Sequence, residues 1–224
     1  MTDSTGSRAV YVYASLTREW EDFTDAHQNA REKAEEAIDQ YANLLKGQAS
    51  EAPPLIIAGG LGSGKTQLLY HLFKYSWREK KVPALYVNLR SLINMIKRRM
   101  TVERRTERLT PTELVYKFSE LALNKLDLLK NHFNDNTLTL SDLWLPEVAG
   151  RPANLPPSEL FKEVGINPNE AYALIDETLK RKRGIILLID EVEMAYKELR
   201  VLIEGGFRDL TDIIGSGVIG IYTV

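Results

Sequence analysis

Three observations in the sequence predict an α/β protein whose mostly parallel central sheet lies between two helical layers. A short apolar run, Leu55-Ile56-Ile57-Ala58, leads into the glycine-rich stretch Gly59-Gly60-Leu61-Gly62-Ser63-Gly64-Lys65-Thr66 and then into helical periodicity. A second run, Gly184-Ile185-Ile186-Leu187-Leu188-Ile189, ends on the acids Asp190-Glu191. Two more, Ala84-Leu85-Tyr86-Val87-Asn88-Leu89 and Val218-Ile219-Gly220-Ile221-Tyr222-Thr223, complete a set of strands separated by helical sequence. Continuous apolar strands alternating with helices are what a parallel sheet covered on both faces requires.

Residues 1–50 read as an N-terminal unit packed on the core: an alternating stretch at residues 9–15, then a long helix over about residues 18–46. Thr17 is placed to cap that helix, Glu19, Glu21 and Asp22 complement its positive end, and Gly47 stops it. Trp20, Phe23, His27, Ala30, Ala34, Ile38, Tyr41 and Leu45 fall three or four apart, so one stripe is buried, on the body of the same domain rather than in a coiled coil. His27 belongs to that stripe as a packed side chain, with no second His or Cys at metal-ligand spacing.

Residues 51–224 read as the core. The stretch from Gly59 to Thr66 fits the G-x-x-x-x-G-K-[ST] pattern of a phosphate-binding loop, and strand, loop and helix follow in the order that pattern needs. Its glycines let backbone N–H groups face the phosphates of a nucleoside triphosphate, and the next helix adds the positive end of its dipole. Lys65 is expected on the β- and γ-phosphates and Thr66 on Mg²⁺, with Gln67 counted in the same nucleotide-binding set. Leu68, Leu69, Leu72, Phe73 and Trp77 give the helix from Lys65 to about Lys80 its buried face, and Pro83 follows its end.

Between the strand at residues 84–89 and the acidic strand lie roughly a hundred residues, more than a simple crossover uses, so residues 91–183 read as a helical insertion. Ser91 to Arg108 is one helix; Thr110-Pro111-Thr112-Glu113 is a capping box that starts another, running to about Phe133. The proline-rich residues 146–157 form a loop, Ser158 restarts a short helix, and residues 169–183 form the last one.

The run ending in Asp190-Glu191 resembles a Walker B strand. Ligands sit at the carboxyl ends of strands in open α/β sheets, so Asp190 is expected beside Thr66, holding Mg²⁺ through a water. Glu191 is expected to polarise the attacking water, with Glu193 as the competing acid. Two guanine-type signatures, Asn124-Lys125-Leu126-Asp127 and Asp212-Ile213-Ile214-Gly215, stand in the reverse of their working order, and the first lies within a helical apolar pattern; both read as coincidences.

The chain has 224 residues with 29 Lys+Arg against 31 Asp+Glu, so net charge gives no argument for a nucleic-acid or membrane partner. It has no cysteine, which excludes disulfides and thiolate metal sites. With no apolar stretch long enough to cross a bilayer, a cytoplasmic protein is expected. Lys97, Arg98, Arg99, Arg104, Arg105 and Arg108 form the candidate patch for DNA or RNA, though glutamates interleave them and no aromatic residues do. The Lys180-Arg181-Lys182-Arg183 cluster closes a helix, where cations complement the dipole.

The order of phosphate loop, second strand, Asp-Glu strand and a further apolar strand resembles the AAA+ ATPases, in particular their initiator-like and STAND-like branch. Over residues 16–224 the resemblance implies a three-layer P-loop NTPase core, ATP and Mg²⁺ as ligands, and ATP hydrolysis coupled to remodelling of, or loading on, a nucleic-acid or protein partner, in an assembly that includes oligomers. The segment opening with Thr17-Arg18-Glu19 is similar to the one that closes over adenine in initiator-type members. Thr223 matches the polar sensor at the end of the fourth strand, which makes Glu191, Lys65 and Thr223 the catalytic set. No arginine finger, lid or second sensor is found before Val224, which is expected of a partial chain truncated after the fourth strand and of low turnover. A nucleotide-dependent switch with rare turnover, and less favourably a small-molecule kinase, are the other readings.

Overall fold

The structure is a computed structural model that describes residues 14–22, 24–45, 55–60, 62–104, 106–182, 184–206 and, by backbone alone, 220–223. Residues 9–13, Phe23, Gly47, Leu61, Arg105, Arg183, the Asp212-Ile213-Ile214-Gly215 tetrapeptide, Val218-Ile219 and the side chain of Thr223 lie outside the described residues.

In chain order the elements are α1 (Asp25–Leu45), β1 (Leu55–Ile57), α2 (Lys65–Tyr75) continued by a π-helical turn (Ser76–Lys80), β2 (Ala84–Asn88), α3 (Leu89–Val102), α4 (Pro111–Asn131), α5 (Pro157–Glu163), α6 (Pro168–Arg181), β3 (Ile186–Asp190), α7 (Val192–Leu202) and β4 (Gly220–Thr223). The strands pair in parallel in the order β1-β4-β3-β2.

The expected three-layer α/β architecture is corrected by this balance of elements. Helix accounts for 58% of the structure and strand for 8%, so the protein is mostly helical and its parallel sheet is a minor component. The physical reason lies in how short the strands are and where the chain length goes. Asn88 ends β2 by turning its side-chain oxygen onto the Ser91 N–H at 2.7 Å, so α3 begins at Leu89. Helices α4, α5 and α6 then pack mainly on one another. Phe133, Phe161, Leu126, Leu129, Ala171 and Ile175 are buried in that helical region. Phe161 also stacks on Phe73 of α2 and packs at a tilt against Trp77 of the π turn, which joins the helical region to α2. Among the described residues the strands are only three to five residues long, so most of those residues lie in helices.

The N-terminal helix starts later than expected. Its first turn is at Asp25, where Thr24 Oγ1 accepts the His27 N–H at 3.2 Å, so Thr24 is the cap and Thr17 is not. Residues 14–22 instead form a strap across α2. The Gln67 carboxamide accepts from Ser15 N (2.8 Å) and donates to the carbonyls of Ser15 (3.2 Å) and Arg18 (3.3 Å), while Lys74 Nζ donates to the Arg18 carbonyl at 2.9 Å. Side chains from α2 thus take the backbone groups that a helix would have used for itself. Leu16 is fully buried beneath the strap. Further along, α1 buries Ala34, Ile38, Tyr41 and Ala42, and the Tyr41 hydroxyl donates to Ile185 O at 3.3 Å, just before β3.

The capping box at Thr110 forms: Thr110 Oγ1 accepts the Glu113 N–H, and the Glu113 carboxylate accepts the Thr110 N–H at 2.8 Å. Helix α2 stops at Tyr75 and widens into a π turn. There Trp77 Nε1 donates to Ala84 O at 3.0 Å and Ser76 Oγ to Val82 O at 2.6 Å, fastening the turn to the start of β2. Among the described residues no helix is long and apolar enough to cross a membrane.

Because the four strands among the described residues are parallel, their carboxyl ends share one edge. Ile57 lies opposite Thr223, and Asn88 opposite Asp190, with β4 between β1 and β3. The glycine-rich loop leaves β1 at that edge.

Candidate functional site

The loop's conformation follows from its sequence. A Cβ on Gly59 would lie 2.5 Å from Ser63 Oγ and 3.2 Å from Ser63 Cβ, so any larger residue would force the Ser63 side chain to move. Gly64 has φ 85°, a left-handed backbone that glycine adopts without strain, and from it α2 begins. The Leu68 N–H returns to Gly64 O at 2.9 Å, the first i−4 bond of α2, and the N–H groups of the first turn have no helical acceptor. Those donors and the helix dipole give this end of α2 a positive electrostatic character. Ser63 Oγ is buried and makes no hydrogen bond, a polar atom without a protein partner inside the loop.

Lys65 Nζ folds over the loop and donates to the carbonyls of Gly59 (2.6 Å) and Gly60 (3.1 Å), which holds its ammonium at the mouth of the same backbone. Next to it, Thr66 Oγ1 donates to Asp190 Oδ2 at 2.8 Å, across 124 positions of sequence. Asp190 is 4% exposed. Its Oδ2 also accepts from the Tyr86 hydroxyl at 2.8 Å, and its Oδ1 accepts the Glu191 N–H at 2.9 Å. Charge-assisted bonds of this kind contribute about 1.5–3 kcal/mol each, which offsets the cost of burying a carboxylate. Burial, then Tyr70 and Asp190, push the Tyr86 phenol far above its ordinary pKa, so it stays protonated and serves as a donor.

A cavity of about 650 Å³ opens over the loop, lined among others by Gly62, Ser63, Gly64, Lys65, Thr66, Gln67, Asp190 and Glu191. Glu193 and Met194 of α7 and Arg18, Glu19 and Trp20 of the strap complete its walls. Glu191 caps α7 with φ 56°, a left-handed conformation that costs a non-glycine residue about 1–2 kcal/mol and turns the chain sharply at the strand end. Both Glu191 and its competitor Glu193 are exposed to the cavity.

The structure therefore brings Lys65, Thr66, Asp190 and Glu191 to one edge, with the Thr223 backbone on the neighbouring strand end. Gln67 lines the cavity, yet its carboxamide is engaged with the strap's backbone at Ser15 and Arg18. Asn124 and Asp127 lie inside α4, away from the cavity, and Lys125 donates to the Asp142 carbonyl. Within the basic patch, Lys97 pairs with Glu198 at 3.0 Å and Arg99 with Glu120.

Two contributors carried no motif signal. Tyr86 sits in an apolar strand where its only sequence mark is a hydroxyl among aliphatic neighbours, two positions before the strand's carboxyl end. Helical spacing puts Trp20 on the buried stripe of a helix; on the strap its indole instead lies 3.9 Å from where a Gly64 side chain would begin, with Nε1 held by Asp22 Oδ1 at 2.6 Å. Arg31 braces Asp22 at 2.9 Å and, with Trp20, holds its carboxyl below the usual carboxylate range.

The donor set suits Mg²⁺ with a bound triphosphate. Thr66 and Asp190 supply two oxygen-bearing groups at the loop, and a cation that keeps waters and substrate oxygens needs no more from the protein. Among the described residues no cluster of three or more His, Cys, Asp or Glu forms a metal cage. Compared with known proteins, the chain matches no family model, no curated protein and no solved structure.

Proposed function

We propose that this chain binds ATP with Mg²⁺ at the Gly59–Thr66 loop and hydrolyses it, as an ATPase module of AAA+ type coupled to a nucleic-acid or protein partner. The observation that carries the reading is the 2.8 Å bond between Thr66 and Asp190, which unites the start of the helix after the loop with the acidic end of β3. A glycine-rich turn arising by accident has no reason to meet a buried carboxylate from so distant a strand.

In this reading the first-turn N–H groups of α2 and the orphaned Ser63 hydroxyl bind phosphate oxygens, and Lys65 moves its ammonium from the loop carbonyls onto the terminal phosphates. Thr66 and Asp190 hold Mg²⁺, which when bound neutralises phosphate charge. Glu191 accepts a proton from the attacking water as the β–γ phosphoanhydride bond breaks, giving ADP and phosphate. Trp20 and the strap border the side of the cavity away from β3 and are in place to meet the base.

Calorimetric titration of the purified chain with ATP, GTP and MgCl₂ tests the reading. ATP is expected to bind more tightly than GTP, with Mg²⁺ strengthening the binding. No measurable binding of either nucleotide would overturn it.

A further inference from the structure

Resting on that reading, we infer that Tyr86 is the positioning residue that fixes the Asp190 carboxylate for the metal ion. Asp190 could rotate about its side chain in an open site, and an ion bound through one of its oxygens or through water would then lack a fixed partner. Here the carboxylate is pinned from three directions: Thr66 and Tyr86 hydroxyls on Oδ2, the Glu191 N–H on Oδ1. Thr66 is itself placed to serve the ion, and the Glu191 N–H belongs to the turn that must carry the water-activating acid. The Tyr86 hydroxyl, which is also hydrogen-bonded with Tyr70, is the one of the three with no role of its own in phosphate binding or water activation.

Its own position is over-determined. Pairing of β2 with β3 sets Tyr86 opposite Leu188, two residues before the aligned pair Asn88 and Asp190. From α2, the Tyr70 ring meets the Tyr86 ring edge-on with centroids 5.2 Å apart. Two elements, α2 and β2, therefore converge on a single oxygen of the carboxylate that β3 carries. With both oxygens already accepting hydrogen bonds, the lone pairs left to Asp190 point in restricted directions, which favours a small ion held in fixed geometry over a larger one that takes a carboxylate by both oxygens. Groups that orient a metal-holding side chain in this way typically contribute about 10–100-fold to metal affinity.

The test is Tyr86→Phe, which keeps the ring and its edge-on packing against the Tyr70 ring and removes the hydroxyl, with its hydrogen bonds to Asp190 and Tyr70. ATP binding is followed by calorimetry without metal and across a MgCl₂ titration, then repeated with CaCl₂, with a thermal melt beside each. The expected result is metal-free ATP affinity within about twofold of the parent, a MgCl₂ requirement raised about tenfold or more, and a smaller change with CaCl₂. In an Asp190→Asn background the same substitution is expected to change nothing further. An unchanged MgCl₂ requirement overturns the inference, as does an equal loss with and without metal, or a Tyr86→Phe chain that does not fold, since the hydroxyl then serves the core. If the parent itself binds no ATP, the functional reading falls as well; if the parent binds and responds to MgCl₂ while the variant matches it, only the role of Tyr86 falls.

Discussion

Asp190 draws the candidate site together in one side chain: a buried carboxylate that accepts from Thr66, Tyr86 and the Glu191 N–H at the edge where the glycine-rich loop leaves β1. Two residues beside it have separable roles. Lys65→Ala removes the ammonium now held by Gly59 and Gly60 carbonyls, and is expected to lower ATP affinity by more than about tenfold, read by calorimetry. Unchanged affinity would remove the loop from the reading. Glu191→Gln leaves the N–H that Asp190 accepts and changes only the acid, so ATP binding should persist while hydrolysis falls by about 10²-fold or more in a phosphate-release assay. Turnover at the parental rate would move the role to Glu193, which borders the same cavity. The pattern of glycines, lysine and threonine was legible because each occupies a fixed place in a short segment. That Asp190 would stand beside Thr66 followed from strand ends sharing one edge. Tyr86 was not legible, because its contact depends on β2 and β3 pairing in one register, and register is written in no single segment.

Elements were legible where local chemistry sets them and not where distant side chains do. The helix at Pro111 begins where Thr110 and Glu113 cap each other, and Thr110→Ala is expected to cost about 1 kcal/mol in chemical denaturation without altering nucleotide affinity. The N-terminal helix was placed too early because Thr17 followed by acids reads as a start, whereas Gln67 and Lys74 of α2 hold residues 15–18 in a strap. Gln67→Ala therefore makes a sharper test than any cap substitution. Losing three hydrogen bonds to the strap should leave β3 and the loop in place while weakening ATP binding several-fold, and limited proteolysis should cut within residues 14–22 faster than in the parent. Equal protection in both proteins would show that Leu16 and Lys74 hold the strap unaided.

For the whole molecule, the apolar runs correctly announced parallel strands and overstated the weight of the sheet. Hydrophobic runs mark where strands lie, but the stretch from Ala84 to Leu89 yields a strand that ends at Asn88, where the Asn88 side chain caps the next helix. Helices α3 to α6 then account for much of the core. Among the described residues Lys65 and Arg18 are the lysine and arginine bordering the cavity, and Arg18 is turned toward Glu21 at 3.5 Å. Phosphoryl transfer gains from a further cation on the leaving phosphate, so steady-state ATP hydrolysis by the purified chain is expected at or below about 1 s⁻¹. Fast turnover that does not depend on protein concentration would show that these side chains suffice.

Trp20 gives the molecule a built-in optical signal. Of the three tryptophans, Trp77 and Trp144 are 1% and 2% exposed within the core, while Trp20 is half-buried and lies against Gly64 where α2 begins. Indole emission responds to changes of polarity and contact, so the two sealed rings supply a constant background and the third supplies the reading. Adding ATP should shift the emission of the unlabelled chain, and Trp20→Phe should abolish the shift while leaving the background in place. Occupancy of the loop would then be followed in real time, without a dye, by the side chain that borders it.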